Sequence, residues 1–201
     1  ALPADEPART SPIANIRRYV AQPRLRLAWI LNFGRETWWV MFFIYGPVYM
    51  VTHGMSETAG ALLVSCGTAM LFTTPAMGWL GRRIGLRRFL MGGFLWVGGL
   101  TLATALFVDH PGFAAASFLL AALGSVALDS VCMVPFMRAV RSRERPEMTM
   151  VFSMYRDMAG LVPPAIFGAL LSFFDLWSVF ASVGLFLVVC AWLARWIPRG
   201  M

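Results

Sequence analysis

Five ionisable residues interrupt otherwise apolar runs: Arg35 and Glu36 in NFGRETWW, Asp129 in VALDSVC, and Arg156 and Asp157 in SMYRDMAG. A charge at the centre of a bilayer costs about 2.5–3.5 kcal/mol, so such side chains turn toward one another or toward a polar cavity. Three chemistries suit them: ion pairing, binding a charged group of a solute, and proton exchange at a carboxyl. Asp129 is the best proton-coupling candidate, since burial disfavours a charged carboxyl unless an arginine stands beside it. Arg35 can attract an anionic group. Asn32, three residues before Arg35 and four before Glu36, can brace either. Adjacent helical residues point in different directions, so Arg35 and Glu36 are expected to reach separate helices rather than form one facing pair.

Other side chains offer less chemistry. Cys66, Cys132 and Cys190 lie inside apolar runs and read as small fillers, not as a disulfide framework or metal-ligand spacing. His53 and His110 stand apart at the ends of runs, and no haem or zinc pair can be drawn from them. No metal and no cofactor is expected. A serine-type intramembrane protease needs a histidine partner within the span, and neither histidine qualifies. The aspartyl type needs two facing acids. Asp129 and Asp157 could meet, but no Gly-x-Gly-Asp stretch surrounds either. A glycine-rich phosphate loop is also lacking. The residues point away from an enzyme.

Composition sets the elements that must hold these charges. Of 201 residues, 59% are hydrophobic and 13% charged, with a mean hydropathy of +0.68. A water-soluble domain gains nothing from so much excess apolar surface, so lipid is the expected solvent. About 20 helical residues cross a hydrocarbon layer of about 30 Å. Six runs qualify: 27–51, 57–80, 88–107, 112–137, 148–172 and 174–197. Strand-type alternation is absent, and a helix satisfies its own backbone groups in lipid. An all-α integral membrane bundle of six transmembrane helices is therefore predicted over 27–201. Residues 1–26, polar and rich in proline and arginine, lack the features of a signal peptide and read as a cytoplasmic linker or tail.

Arginine sets the orientation. All seventeen basic residues are arginine. Arg9, Arg17, Arg18, Arg24 and Arg26 precede the first run, and Arg82, Arg83, Arg87 and Arg88 follow the second. Arg138, Arg141, Arg143 and Arg145 follow the fourth, and Arg195 and Arg199 close the chain. Fifteen of seventeen thus lie on alternate connections, which predicts both termini in the cytoplasm. This pattern explains the net charge of +7 without nucleic acid and lets the loops meet anionic lipid headgroups. Arg35, Asp129 and Arg156 each lie eight residues from a cytoplasmic run end. At about 1.5 Å per residue, that depth places all three in one layer roughly 12 Å deep.

Between the second and third runs stands GWLGRRIGLRR, Gly78 to Arg88. Gly60, Gly67, Thr74 and Gly78 share a helical face, a small-residue stripe that admits a close neighbour. Gly85 suits a sharp turn. Pro47, Pro135 and Pro164 are placed to kink helices, and Pro146 to open one. The stretch resembles the loop motif of the major facilitator superfamily, in which Gly, a small spacer, Leu, an acid, a basic residue, Gly and further basic residues recur. Gly78, Leu80, Arg83, Gly85, Arg87 and Arg88 fit. Arg82 stands where that family usually carries an aspartate, so the charge-relay role of that acid is not carried over. The motif covers eleven residues, and its place between helices two and three of six adds specificity.

The resemblance implies a transporter of two six-helix halves, of which this chain looks like the carboxyl-terminal one. Each half in that family holds two inverted three-helix repeats, with Thr74-Pro75-Ala76 and Pro163-Pro164-Ala165 on corresponding helices. The family's first and fourth helices line the central cavity, and its second and fifth meet the other half. By that resemblance Arg35, Glu36 and Asp129 are substrate or proton site candidates, and Arg156 and Asp157 belong to a supporting charge network. The same charges suit a salt-bridge lattice that only holds the half together. Trp38, Trp39, Phe42, Phe43 and Tyr45 are expected to pack within the bundle. The implied function is half of a secondary transporter in a bacterial inner (plasma) membrane, moving a small organic solute with a proton as candidate coupling ion. Its partners would be membrane lipid, the other half and the solute. The alternative is a non-transporting membrane subunit or assembly factor derived from such a half.

Overall fold

The computed structural model of the protein describes residues 12–197. Residues 1–11, Arg199 and the side chain of Arg143 lie outside the described residues. Helix α1 (Pro12–Ala21) leads into α2 (Pro23–Thr52). Next comes a helical path made of α3 (Glu57–Ala69), a 3-10 turn (Met70–Thr73) and α4 (Thr74–Ile84). Then follow α5 (Leu86–Leu106), α6 (Pro111–Asp129), α7 (Val134–Ala139), α8 (Arg145–Leu171) and α9 (Trp177–Ala194). Among the described residues there is no strand.

Local chemistry explains the boundaries. Ser56 caps α3 by accepting a hydrogen bond from the Ala59 amide at 3.2 Å. Prolines occupy the first turns of α2, α6 and α8, where a missing N–H costs nothing. Gly85 joins α4 to α5 at φ +93°, a conformation that only glycine adopts without strain.

Four segments are long and apolar enough to cross a membrane: Glu57–Ile84, Leu86–Leu106, Pro111–Ala139 and Trp177–Ala194. Helices α2 and α8 are long too, with 30 and 27 residues. Their Arg35–Glu36 and Arg156–Asp157 pairs lower their apolarity.

Besides the 3-10 turn at Met70–Thr73, which interrupts the run predicted over 57–80, two features depart from the predicted runs. The stretch expected as one helix over 112–137 breaks at residues 130–133. Pro135 has no amide to give the Val131 carbonyl, and that carbonyl accepts from the Val134 amide at 3.0 Å instead. The leading segment, read only as a linker or tail, contains α1. Tyr19 anchors it: its buried hydroxyl donates to the Leu25 carbonyl at 3.0 Å, and burial pushes its phenol above the usual ionisation range. Arg18 adds a 2.6 Å pair with Glu144.

A large apolar core joins α2, α5, α6 and α9 through Trp38, Phe42, Phe94, Phe118 and Phe180, all fully buried. A smaller one gathers Tyr19, Leu25, Phe136, Phe152 and Tyr155 near the start of α2. Glycine lets the helices approach. A Cβ on Gly98 would fall 2.9 Å from the Gly184 carbonyl oxygen, so α5 and α9 touch backbone to backbone. A Cβ on Gly67 would meet Phe42 at 2.6 Å, and one on Gly60 would meet Pro47 at 3.1 Å.

Candidate functional site

Helix α2 carries Arg35 into the gap between α6 and α8. Its Nη1 donates to Asp129 Oδ1, and its Nη2 donates to Glu36 Oε2 at 2.6 Å. Asp129 is the last residue of α6, where the helix breaks. Its second oxygen accepts from Trp39 Nε1 at 3.1 Å. The Tyr155 hydroxyl on α8 lies 3.4 Å from Arg35 Nη2, and the guanidinium stands 5.9 Å from the centre of that ring. One guanidinium thus ties three helices together. The Arg35 side chain is 10% exposed, Asp129 16% and Glu36 20%, so the carboxylates keep a path to the outside.

The charges do not cancel. Arg35 supplies one positive charge against two carboxylates. Arg156 Nε stands 3.8 Å from Glu36 Oε1, but its side chain is 71% exposed, and a pair so solvated compensates weakly. Two carboxyl groups thus share one buried guanidinium.

Three expectations need correction. Arg35 and Glu36 do pair, although neighbouring residues leave the helix in different directions. The long guanidinium arm and the Glu36 carboxyl both bend into the same gap, where Asp129 draws the arginine. Asn32 braces neither of them. Its Nδ2 donates to the Ala28 and Cys132 carbonyls at 2.8 and 2.9 Å, so it ties α2 to the break after α6. The possible meeting of Asp129 and Asp157 does not occur: Asp157 is exposed, with no ion pair among the described residues.

The aromatic stretch is mostly packing. Trp38 stacks on Phe42 with centroids 5.2 Å apart, Phe43 is 43% exposed, and Tyr45 meets Phe167 edge-on. Trp39 differs, because its indole N–H holds Asp129. Tyr155 escaped the sequence reading altogether. Its only signal was its position beside Arg156, and a lone tyrosine at a helix face carries no charge to flag it.

In the loop motif, Gly85 makes the turn and Arg83 stacks over Trp79 at 3.9 Å. A Cβ on Gly78 would meet Ser130 at an ordinary 3.8 Å. Leu80 and Arg88 are exposed, and Arg87 is half-buried. Gly81, not singled out by the motif, is the tight position: a Cβ there would fall 2.8 Å from Val131. All three cysteines are free. Among the described residues no group of His, Cys, Asp and Glu could hold a metal.

Comparison with protein-family models matches residues 28–200 to the Major Facilitator Superfamily. Comparisons with curated proteins and with solved structures return no match.

Proposed function

From the premise that this chain belongs to the major facilitator superfamily, we propose that it is one six-helix half of a secondary active transporter for a small organic solute. It is an integral membrane protein, as its apolar helices and family require. In the proposed topology α2 and α8 cross the membrane beside the four plainly apolar segments, both termini lie in the cytoplasm, and the host membrane is a bacterial inner membrane. The arginine alternation supports this arrangement. The charged pair inside α2 is tolerable because Arg35 holds Glu36 and the Asp129 carboxyl of α6, and Arg156 of α8 stands 3.8 Å from Glu36.

The observation that carries the reading is the Arg35–Glu36–Asp129 cluster. A purely structural lattice would balance its charges and exclude water. This one leaves two carboxylates sharing a single buried guanidinium, partly open on one side. Such a site changes partners when a proton or a charged solute group arrives, and that change can bias rocking of this half against another. Arg35 is the proposed holder of an anionic solute group, and Asp129 or Glu36 the proposed proton carrier.

The test uses the complete gene product in proteoliposomes loaded with a pH-sensitive dye and challenged with a panel of organic solutes. Solute-driven proton movement should disappear in Asp129→Asn, while Arg35→Ala should lose the response to solute itself. Normal movement in both variants, at normal expression, would reduce the cluster to a structural lattice. An open reading frame of about twice this length supports a transporter half, and one of about this length favours an assembly subunit.

A further inference from the structure

A second feature lies outside the charged cluster, where the start of α2 meets the end of α9. A groove of about 430 Å³ opens there between Leu27 and Ile30 of α2 and Leu193 and Trp196 at the end of α9. Its mouth is lined by Arg24 and Arg26. The groove sits at a membrane boundary, because α9 is apolar enough to span and ends at Ala194. Its chemistry is split: aliphatic and indole surface below, guanidinium groups above.

We propose that this groove holds an anionic phospholipid, with the headgroup phosphate on Arg24 and Arg26 and an acyl chain along Leu27, Ile30 and Leu193. Charge complementarity argues for the headgroup. Neither arginine pairs with a carboxylate among the described residues, and both are exposed. The positive end of the α2 dipole adds to their field, and guanidinium forks bind phosphate oxygens bidentately. Arg195 lies outside the groove lining, with its guanidinium 4.0 Å from the centre of the Trp192 ring and 5.3 Å from that of Trp196. Trp196 is 64% exposed at the depth where amphipathic rings favour headgroups.

A second observation matches the shape of a two-chain lipid. Arg26 and Ile30 also line a separate groove of about 340 Å³ on the other flank of α2, walled by Val20, Trp29, Met154 and Met158. One guanidinium therefore stands above two apolar channels. The inference depends on residence in a bilayer and not on transport, so loss of the transport reading leaves it intact.

The test reconstitutes the full chain in phosphatidylcholine bilayers doped with phosphatidylglycerol or phosphatidylcholine brominated on the acyl chains. Quenching of Trp196 is read as the difference between the wild type and Trp196→Phe. Brominated phosphatidylglycerol is expected to quench at roughly tenfold lower mole fraction than brominated phosphatidylcholine, since two arginines near the surface each favour anionic lipid severalfold. That preference should vanish in R24Q/R26Q and persist in R87Q/R88Q, which removes two arginines from another loop. Equal quenching by the two lipids, or equal loss in both double variants, would overturn the proposal. A measurement on the wild type alone guards against misfolded variants. Inorganic phosphate in the buffer should leave the lipid preference unchanged, and abolition by phosphate would mean a bare anion site.

Discussion

At the scale of single residues, Arg35 is the hub on which the site depends. It holds Asp129 on α6, Glu36 on its own helix and Tyr155 on α8. Removing one partner of a buried ion pair leaves the other uncompensated, which costs about 3–5 kcal/mol. Arg35→Gln strands the Asp129 and Glu36 carboxyls and is therefore expected to lower stability in detergent by about 3 kcal/mol, whereas Asp129→Asn leaves Arg35 paired with Glu36 and should cost clearly less. The double variant R35Q/D129N should lose clearly less than the sum of the two single changes, since Asp129 is then no longer stranded and only Glu36 loses its partner. Additive thermal-unfolding losses would mean that the two side chains do not depend on each other. Asn32 is a separate case. Asn32→Leu strands the Cys132 carbonyl and is expected to cost about 1–3 kcal/mol, leaving the Arg35–Asp129 pair in place.

Between helices, close approach is what the glycines provide. The α5–α9 contact depends on Gly98 and Gly184, each of whose added Cβ would fall within 3.0 Å of the other's carbonyl oxygen. In lipid no hydrophobic drive holds helices together, so packing this close supplies much of the cohesion. Gly98→Val should force the helices apart and reduce stability by about 3 kcal/mol or more, whereas Gly99→Ala should be neutral or slightly stabilising through helix propensity. No atom lies within 4 Å of a Cβ on Gly99, which makes it a matched control on the same helix. Similar thermal shifts for both would show that the crossing tolerates bulk. The break after Asp129 belongs to this scale too. It sets the carboxyl at a helix end and frees the Cys132 carbonyl for Asn32.

For the molecule as a whole, the proposed six crossings make a clean demand on labelling. Cysteine introduced at Asp109 should react only from the outer face, and cysteine introduced at Arg87 only from the cytoplasmic face. Reaction of both from one side would end the six-crossing topology. Cys132 and Cys190 are buried but Cys66 on α3 is exposed, so the labelling is done in a Cys66→Ala background. The exposed apolar surface also has a direction. Phe72 on the α3–α4 path is 91% exposed and Leu161 on α8 69%. In the proposed topology these faces meet lipid or the other half.

The sequence by itself determined the solvent, the helical class and the family. Hydropathy, arginine placement and a glycine-rich loop act through local transfer energies and local backbone freedom, so a linear reading recovers them. It also identified Arg35, Glu36 and Asp129 as the residues with chemistry to explain, because a charge in an apolar run is conspicuous. Only the tertiary structure decided who meets whom. Arg35 finds Asp129 across 94 positions of chain, Trp39 turns from packing to hydrogen bonding, Asp157 drops out, and Gly98 proves to face Gly184. Those outcomes depend on helix rotation, on the break after α6 and on close approaches between elements, such as that of Gly98 to Gly184. Such quantities are set by the packing of distant segments against each other, and no local pattern encodes them.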